Sequence, residues 1–202
     1  MTPYTTKNYK AKELEGISKK AIEEHLKLYA GYVKHTNLIL EKIEELSKDT
    51  DPSTPFGAGN AYVLGELQRR FGFEFGGMRN HEYYFSSLLS DKSELDTNSP
   101  LKKQIEKDFG FFEGWLARFK TIALTRGIGW AMLYWDTQEK RLINAWVDEQ
   151  HLGQLADCKI VLALDMWEHS YLFDYVPADK KKYVEAFFSN LSWSEIEKNF
   201  KN

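Results

Sequence analysis

Cysteine is almost missing from this chain: Cys158 is the only one in 202 residues. No internal disulfide can form, so a reducing, cytoplasmic setting is expected, and Cys158 itself reads as a small buried hydrophobe. No apolar run approaches the length of a membrane-spanning helix. Met1 to Glu15 is polar and lysine-bearing without an apolar centre, so no secretory signal is expected there. A dominant sign of charge is also lacking, with 27 Lys and Arg against 30 Asp and Glu. That balance argues against a dedicated nucleic-acid or anionic-membrane partner. Histidine is scarce, limited to His25, His35, His81, His151 and His169. No serine or cysteine nucleophile order stands out, and Gly127-Ile128-Gly129 is too short to cradle a phosphate. Core material, by contrast, is plentiful: 43% of residues are hydrophobic and 15% aromatic.

From Ile17 to about Lys48, Ile17, Ala21, Leu28, Val33, Leu38, Leu40, Ile43 and Leu46 recur at roughly three- and four-residue steps, with charges between them. This spacing predicts a long amphipathic helix with Ser18 as N-cap, stopping at the Asp, Ser, Thr and Pro cluster of Asp49–Pro55. A second helical region covers about Ala58 to Leu89. Gly72, Gly76 and Gly77 interrupt it and predict two helices joined there. The polar stretch Ser90–Pro100 reads as a linker, with an N-terminal helical unit over 1–90 and a C-terminal unit over 91–202. In the second unit Leu101–Thr125 reads as helical with a break near Gly110. Trp130–Trp135 and Leu142–Val147 flank a polar turn and predict a β-hairpin, Lys159–Leu164 a third strand, and Ala178–Ser189 and Trp193–Phe200 closing helices. The expected class is α+β: a helical hairpin domain, then an α/β domain with a small three-stranded antiparallel sheet.

Asp165 and His169 stand four apart, so on one helical turn they would share a face and could grip an ion. Alone, such a pair is equally a salt link. The residues around it carry more. Asp165-Met166-Trp167-Glu168-His169-Ser170-Tyr171 resembles the D-x-W-E-H-x-Y signature of iron/manganese superoxide dismutases. Gly76-Gly77-Met78-Arg79-Asn80-His81 resembles that family's G-G-x-x-N-H segment. Gly127-Ile128-Gly129-Trp130-Ala131 and Asn190-Leu191-Ser192-Trp193 follow in the family's order. The resemblance implies one redox ion held by His25, His81, Asp165 and His169, with superoxide as substrate and dioxygen and hydrogen peroxide as products. Imidazole and carboxylate donors without a thiolate suit iron or manganese.

The same resemblance implies a glutamine that hydrogen-bonds solvent on the ion. The iron type supplies it four residues before the second ligand, where this chain has Gly77. The manganese type supplies it after the hairpin, where Gln150 stands, with His151 as the competing residue. Manganese is therefore expected over iron. Trp130 and Trp167 match aromatic walls of the family's pocket, and Phe85 stands where many members carry tryptophan.

The first helix departs from the pattern. The family's gateway tyrosine lies eight residues after the first ligand, whereas Tyr32 lies seven after His25. Seven residues make nearly two regular turns, so Tyr32 is expected at the gateway without a helical bulge, with Tyr29 as alternative. The family's gateway histidine is replaced by Leu28 or Tyr29, and its cross-subunit tyrosine partner by Leu172. Glu168, which the family uses to hold the ligand histidine of the other subunit, remains, so a homodimer or dimer of dimers is expected. The basic funnel residue is not cleanly matched, although Lys180, Lys181 and Lys182 lie near its place. Two other readings stand beside the dismutase: a hydrolase on the same ligands, for which no general base is evident, and a metal-binding interaction protein that kept the fold and lost turnover.

Overall fold

The computed structural model describes residues 2–201. Helix α1 spans Lys19–Leu46. Ser18 caps it, its hydroxyl accepting from the Ala21 amide at 3.1 Å, which satisfies one of the open first-turn donors. Its buried stripe is Ala21, Ile22, His25, Tyr29, Tyr32, Val33, Thr36 and Ile39. The helix is regular throughout, with no bulge between His25 and Tyr32.

Helix α2 spans Pro55–Leu89, starting at a Thr54 cap with Pro55 in the first turn. The expected break at Gly72, Gly76 and Gly77 is corrected: the helix runs through all three. A Cβ at Gly76 would stand 2.3 Å from the Gln150 carbonyl oxygen, and one at Gly77 would stand 2.5 Å from the Tyr32 ring. These glycines admit neighbours rather than stop the helix. α1 and α2 pack along one another as a hairpin, and α2 also lies against the sheet.

Helices α3 (Pro100–Phe109) and α4 (Phe112–Ala123) follow. They are separated at Gly110, whose φ of 92° ends α3 in the left-handed region where glycine costs least. Strands β1 (Gly129–Asp136), β2 (Arg141–Asp148) and β3 (Cys158–Asp165) form one antiparallel sheet in the order β2-β1-β3. Central β1 buries its first six residues, as a strand covered on both faces must. Its register sets Trp130 opposite both Val147 and Asp165. Helices α5 (Lys180–Ser189) and α6 (Trp193–Lys201) close the chain. The expected helical turn over Asp165–His169 is also corrected. Asp165 is the last residue of β3, and His169 lies in a 3₁₀ turn, Glu168–Ser170. Cys158 is half-buried at the start of β3. No helix among the described residues is long and apolar enough to cross a membrane.

Candidate metal centre

Four elements deliver one side chain each to a single buried point. His25 comes from α1, His81 from α2, Asp165 from the end of β3 and His169 from the 3₁₀ turn after it. One donor atom from each lies within 4.8 Å of all the others. The Nε2 atoms of His25, His81 and His169 stand 3.2, 3.4 and 3.1 Å from Asp165 Oδ2. His81 and Asp165 are completely buried, and His25 nearly so.

The donor set has a conflict that a cation resolves. His81 Nδ1 donates to the Gly77 carbonyl at 2.6 Å. Its Nε2 therefore presents a lone pair, and that buried atom has no hydrogen-bond partner. It faces a carboxylate oxygen 3.4 Å away, acceptor against acceptor in a dry pocket, which is costly to leave uncompensated. The titration behaviour agrees. Burial, helped by neighbouring His25, pushes His81 down to about 3, so its imidazole is neutral. Burial likewise lowers His25. Burial would raise Asp165, but His169 and His25 beside it hold its carboxyl far below the usual range. Neutral imidazoles around an ionised carboxylate are the form in which these groups bind a metal.

These candidate donors are themselves held. The Trp167 amide donates to Asp165 Oδ1 at 2.8 Å, while the Tyr183 hydroxyl (2.9 Å) and Ser170 hydroxyl (3.0 Å) donate to the Asp165 carbonyl. Such partners fix ligand orientation. Sequence reading missed Tyr183, whose partner lies 18 residues away on another element.

Gln150 is fully buried. Its Nε2 donates to the Tyr32 hydroxyl at 2.9 Å, and its Oε1 accepts from Trp130 Nε1 at 2.9 Å. His151 points elsewhere, with its ring edge against Phe73. Tyr29 also turns away: its hydroxyl donates to Glu82 Oε1 at 3.3 Å and accepts from the Lys7 amide at 3.0 Å. The rings of Tyr32 and Trp130 each lie 5.1 Å from that of His81. Trp167 stacks on His169 at 5.8 Å, and Phe85 lies 5.0 Å from His25. Glu168 is exposed beside this cluster, as are Leu172 and Phe173. Of the lysine run, Lys182 pairs with Asp179 at 3.0 Å. Lys180 donates to the Thr125 carbonyl at 3.2 Å.

Residues 97–199 match the family model described as iron/manganese superoxide dismutases, C-terminal domain. A superoxide dismutase [Fe] of Cupriavidus metallidurans is 38% identical over 191 residues, covering 93% of this chain and 90% of that protein. A superoxide dismutase [Fe] of Methanothermobacter thermautotrophicus is 32% identical, covering 88% of this chain and 83% of its own. Superoxide dismutase [Mn] 1 of Halobacterium salinarum is 33% identical, covering 85% and 80%. Likeness of this extent reaches through both the helical hairpin and the sheet that meet at the four donors, and the chain belongs to the iron/manganese superoxide dismutase family.

Proposed function

We propose that this chain removes superoxide, turning two superoxide anions and two protons into one dioxygen and one hydrogen peroxide. His25, His81, Asp165 and His169 hold one ion for this reaction. When bound, the ion supplies one-electron chemistry by alternating between trivalent and divalent states. The observation that carries this reading is the unprotonated, partnerless Nε2 of His81 aimed with two other imidazoles at one carboxylate oxygen. The interaction-protein alternative draws no support from a donor set and polar shell this complete.

Tyr32 and Gln150 fit the handling of protons. The Tyr32 oxygen accepts from Gln150, so its own hydrogen remains free to donate. Burial raises its pKa and keeps it protonated. Trp130 anchors the other end of the Gln150 amide and packs with it in a fully buried setting beside His81, which strengthens these bonds, while Trp167 stacks on partly exposed His169.

We assign manganese rather than iron. The glutamine comes from the turn after β2, and the Tyr32 ring fills the space over Gly77, so α2 supplies no side chain there. Relatives named for iron and for manganese both match this chain, an iron-named one at 38% identity over 93% of it and a manganese-named one at 33% over 85%, so likeness does not favour manganese and the assignment rests on the glutamine's origin. Exposed Glu168, Leu172 and Phe173 beside His169 support a two-fold dimer in which Glu168 reaches the partner's ligand histidine. Lys180 supports attraction of the anionic substrate, and the single cysteine supports a cytoplasmic setting. The test is His81→Ala: elemental analysis should find about one manganese per wild-type chain and none in the variant, with superoxide removal lost alongside. A variant that keeps both would overturn the reading.

A further inference from the structure

The turn that carries Gln150 does not stand on its own. It runs from Asp148 to Gly153, closed by reciprocal Asp148 and Leu152 backbone bonds of 2.9 and 3.1 Å. Glu149 is held in the left-handed region at φ 52°, an uncommon backbone for a residue with a side chain. Its amide donates to the Ile128 carbonyl at 3.2 Å, and its carbonyl accepts from Trp167 Nε1 at 3.0 Å.

The turn rests on α2 along Gly72, Gly76 and Asn80, which recur every four residues and so lie along one side of the helix. The His151 ring covers Gly72, where a Cβ would stand 3.2 Å from His151 Cδ2. The Gln150 carbonyl lies over Gly76, where a Cβ would come within 2.3 Å of its oxygen. Fully buried Asn80 donates its Nδ2 to that same oxygen at 2.9 Å. Two glycines thus let the turn approach the helix, and the Asn80 amide fastens it with the shortest bond to that oxygen; Gln154 Nε2 adds longer bonds of 3.3 Å to the same oxygen and to Asn80 Oδ1.

From this we infer that Gly76 and Asn80 are positioning residues: their side of α2 is a seat that fixes the Gln150 backbone and so aims its side-chain amide between Tyr32 and Trp130. Neither touches the reacting atoms. They act through Gln150, whose amide has fixed partners at both ends and tolerates little displacement of its backbone. The inference rests on the dismutase reading for its consequence, but the geometry it describes is independent of turnover.

The experiment uses full-length, manganese-loaded protein with two variants that disturb the seat differently. Gly76→Ala pushes the Gln150 carbonyl off the helix. The milder Asn80→Ser leaves a hydroxyl too short to reach it. Gly65→Ala, in open space on the same helix, is the control. Crystal structures of the variants should show Gln150 Nε2 and the Tyr32 hydroxyl beyond hydrogen-bond distance, with the four ligands unmoved. The midpoint potential should shift by at least a tenfold change in the one-electron equilibrium, about 59 mV. Gly65→Ala should match wild type in both. If Gly76→Ala does not fold, Asn80→Ser alone decides. A folded seat variant that retains both the Gln150–Tyr32 bond and the wild-type potential overturns the inference. Absence of superoxide removal by loaded wild type would sink the dismutase reading and leave the structural readout standing.

Discussion

Gly77 offers a test in which a substitution that stabilises one place on a helix gains nothing or destabilises at another. A Cβ there would lie 2.5, 2.6 and 2.9 Å from Cδ1, Cε1 and Cγ of Tyr32, so the ring must move. At Gly59 the same Cβ meets nothing within 4 Å. Replacing a helical glycine by alanine contributes about 1 kcal/mol of stability, and this should be realised in full by Gly59→Ala. For Gly77→Ala the gain is set against an overpacking cost of about 1–3 kcal/mol. The two variants should therefore differ by about 1–3 kcal/mol, or roughly 2–12 °C in Tm for a chain of this size. Urea unfolding of the metal-free proteins, followed by circular dichroism, measures the difference without the added stability that a bound ion brings. Moving the ring also disturbs the Tyr32–Gln150 bond, so loaded Gly77→Ala should lose activity while Gly59→Ala keeps it. Equal stabilisation by both substitutions would refute the packing argument and, with it, the claim that Tyr32 excludes a side chain at position 77.

Gln150→Ala should retain the ion and lose about 10–100-fold in superoxide removal, the usual scale for a group that supports a metal site from behind its ligands; unchanged turnover would remove Gln150 from the mechanism. Glu168→Ala should shift sedimentation from dimer toward monomer, and a wild-type monomer would end the dimer proposal. The metal-free protein should weaken as pH falls. His81 has a folded pKa of about 3 against an ordinary 6.5, so its neutral form stabilises the fold above the ordinary value. That contribution is lost as pH drops from about 6.5 towards 3, at up to roughly 1.4 kcal/mol per pH unit for the proton taken up. Denaturant midpoints measured across that window should fall with pH, and midpoints flat across it would contradict the neutral, buried assignment.

The helices and strands were legible because their signals are local. Ser18, Thr54 and Ser99 cap their helices with side-chain oxygens, and the two apolar runs around Asp136–Arg141 pair in register as β1 and β2. The four donors were legible only through resemblance, since Asp165 and His169 alone read as a salt link. What failed were inferences that needed a partner distant in sequence. Gly72, Gly76 and Gly77 look like breaks until the Gln150 turn and the Tyr32 ring are seen to occupy the space they leave. The four-residue spacing of Asp165 and His169 suits a helix, but pairing with β1 holds Asp165 in a strand, and the 3₁₀ turn brings His169 back to it. Counting turns of a regular helix sets Tyr32 on the same face as His25, and its hydroxyl lies 2.9 Å from Gln150 Nε2. The Tyr183 bond to the Asp165 carbonyl, by contrast, has no local sequence signal.

The most direct test is stopped-flow superoxide decay with wild-type protein whose bound manganese has been counted. Decay should accelerate in proportion to bound ion, approaching saturation at one per chain. Protein carrying one ion per chain that removes superoxide no faster than its metal-free form would contradict the proposed chemistry of the four donors.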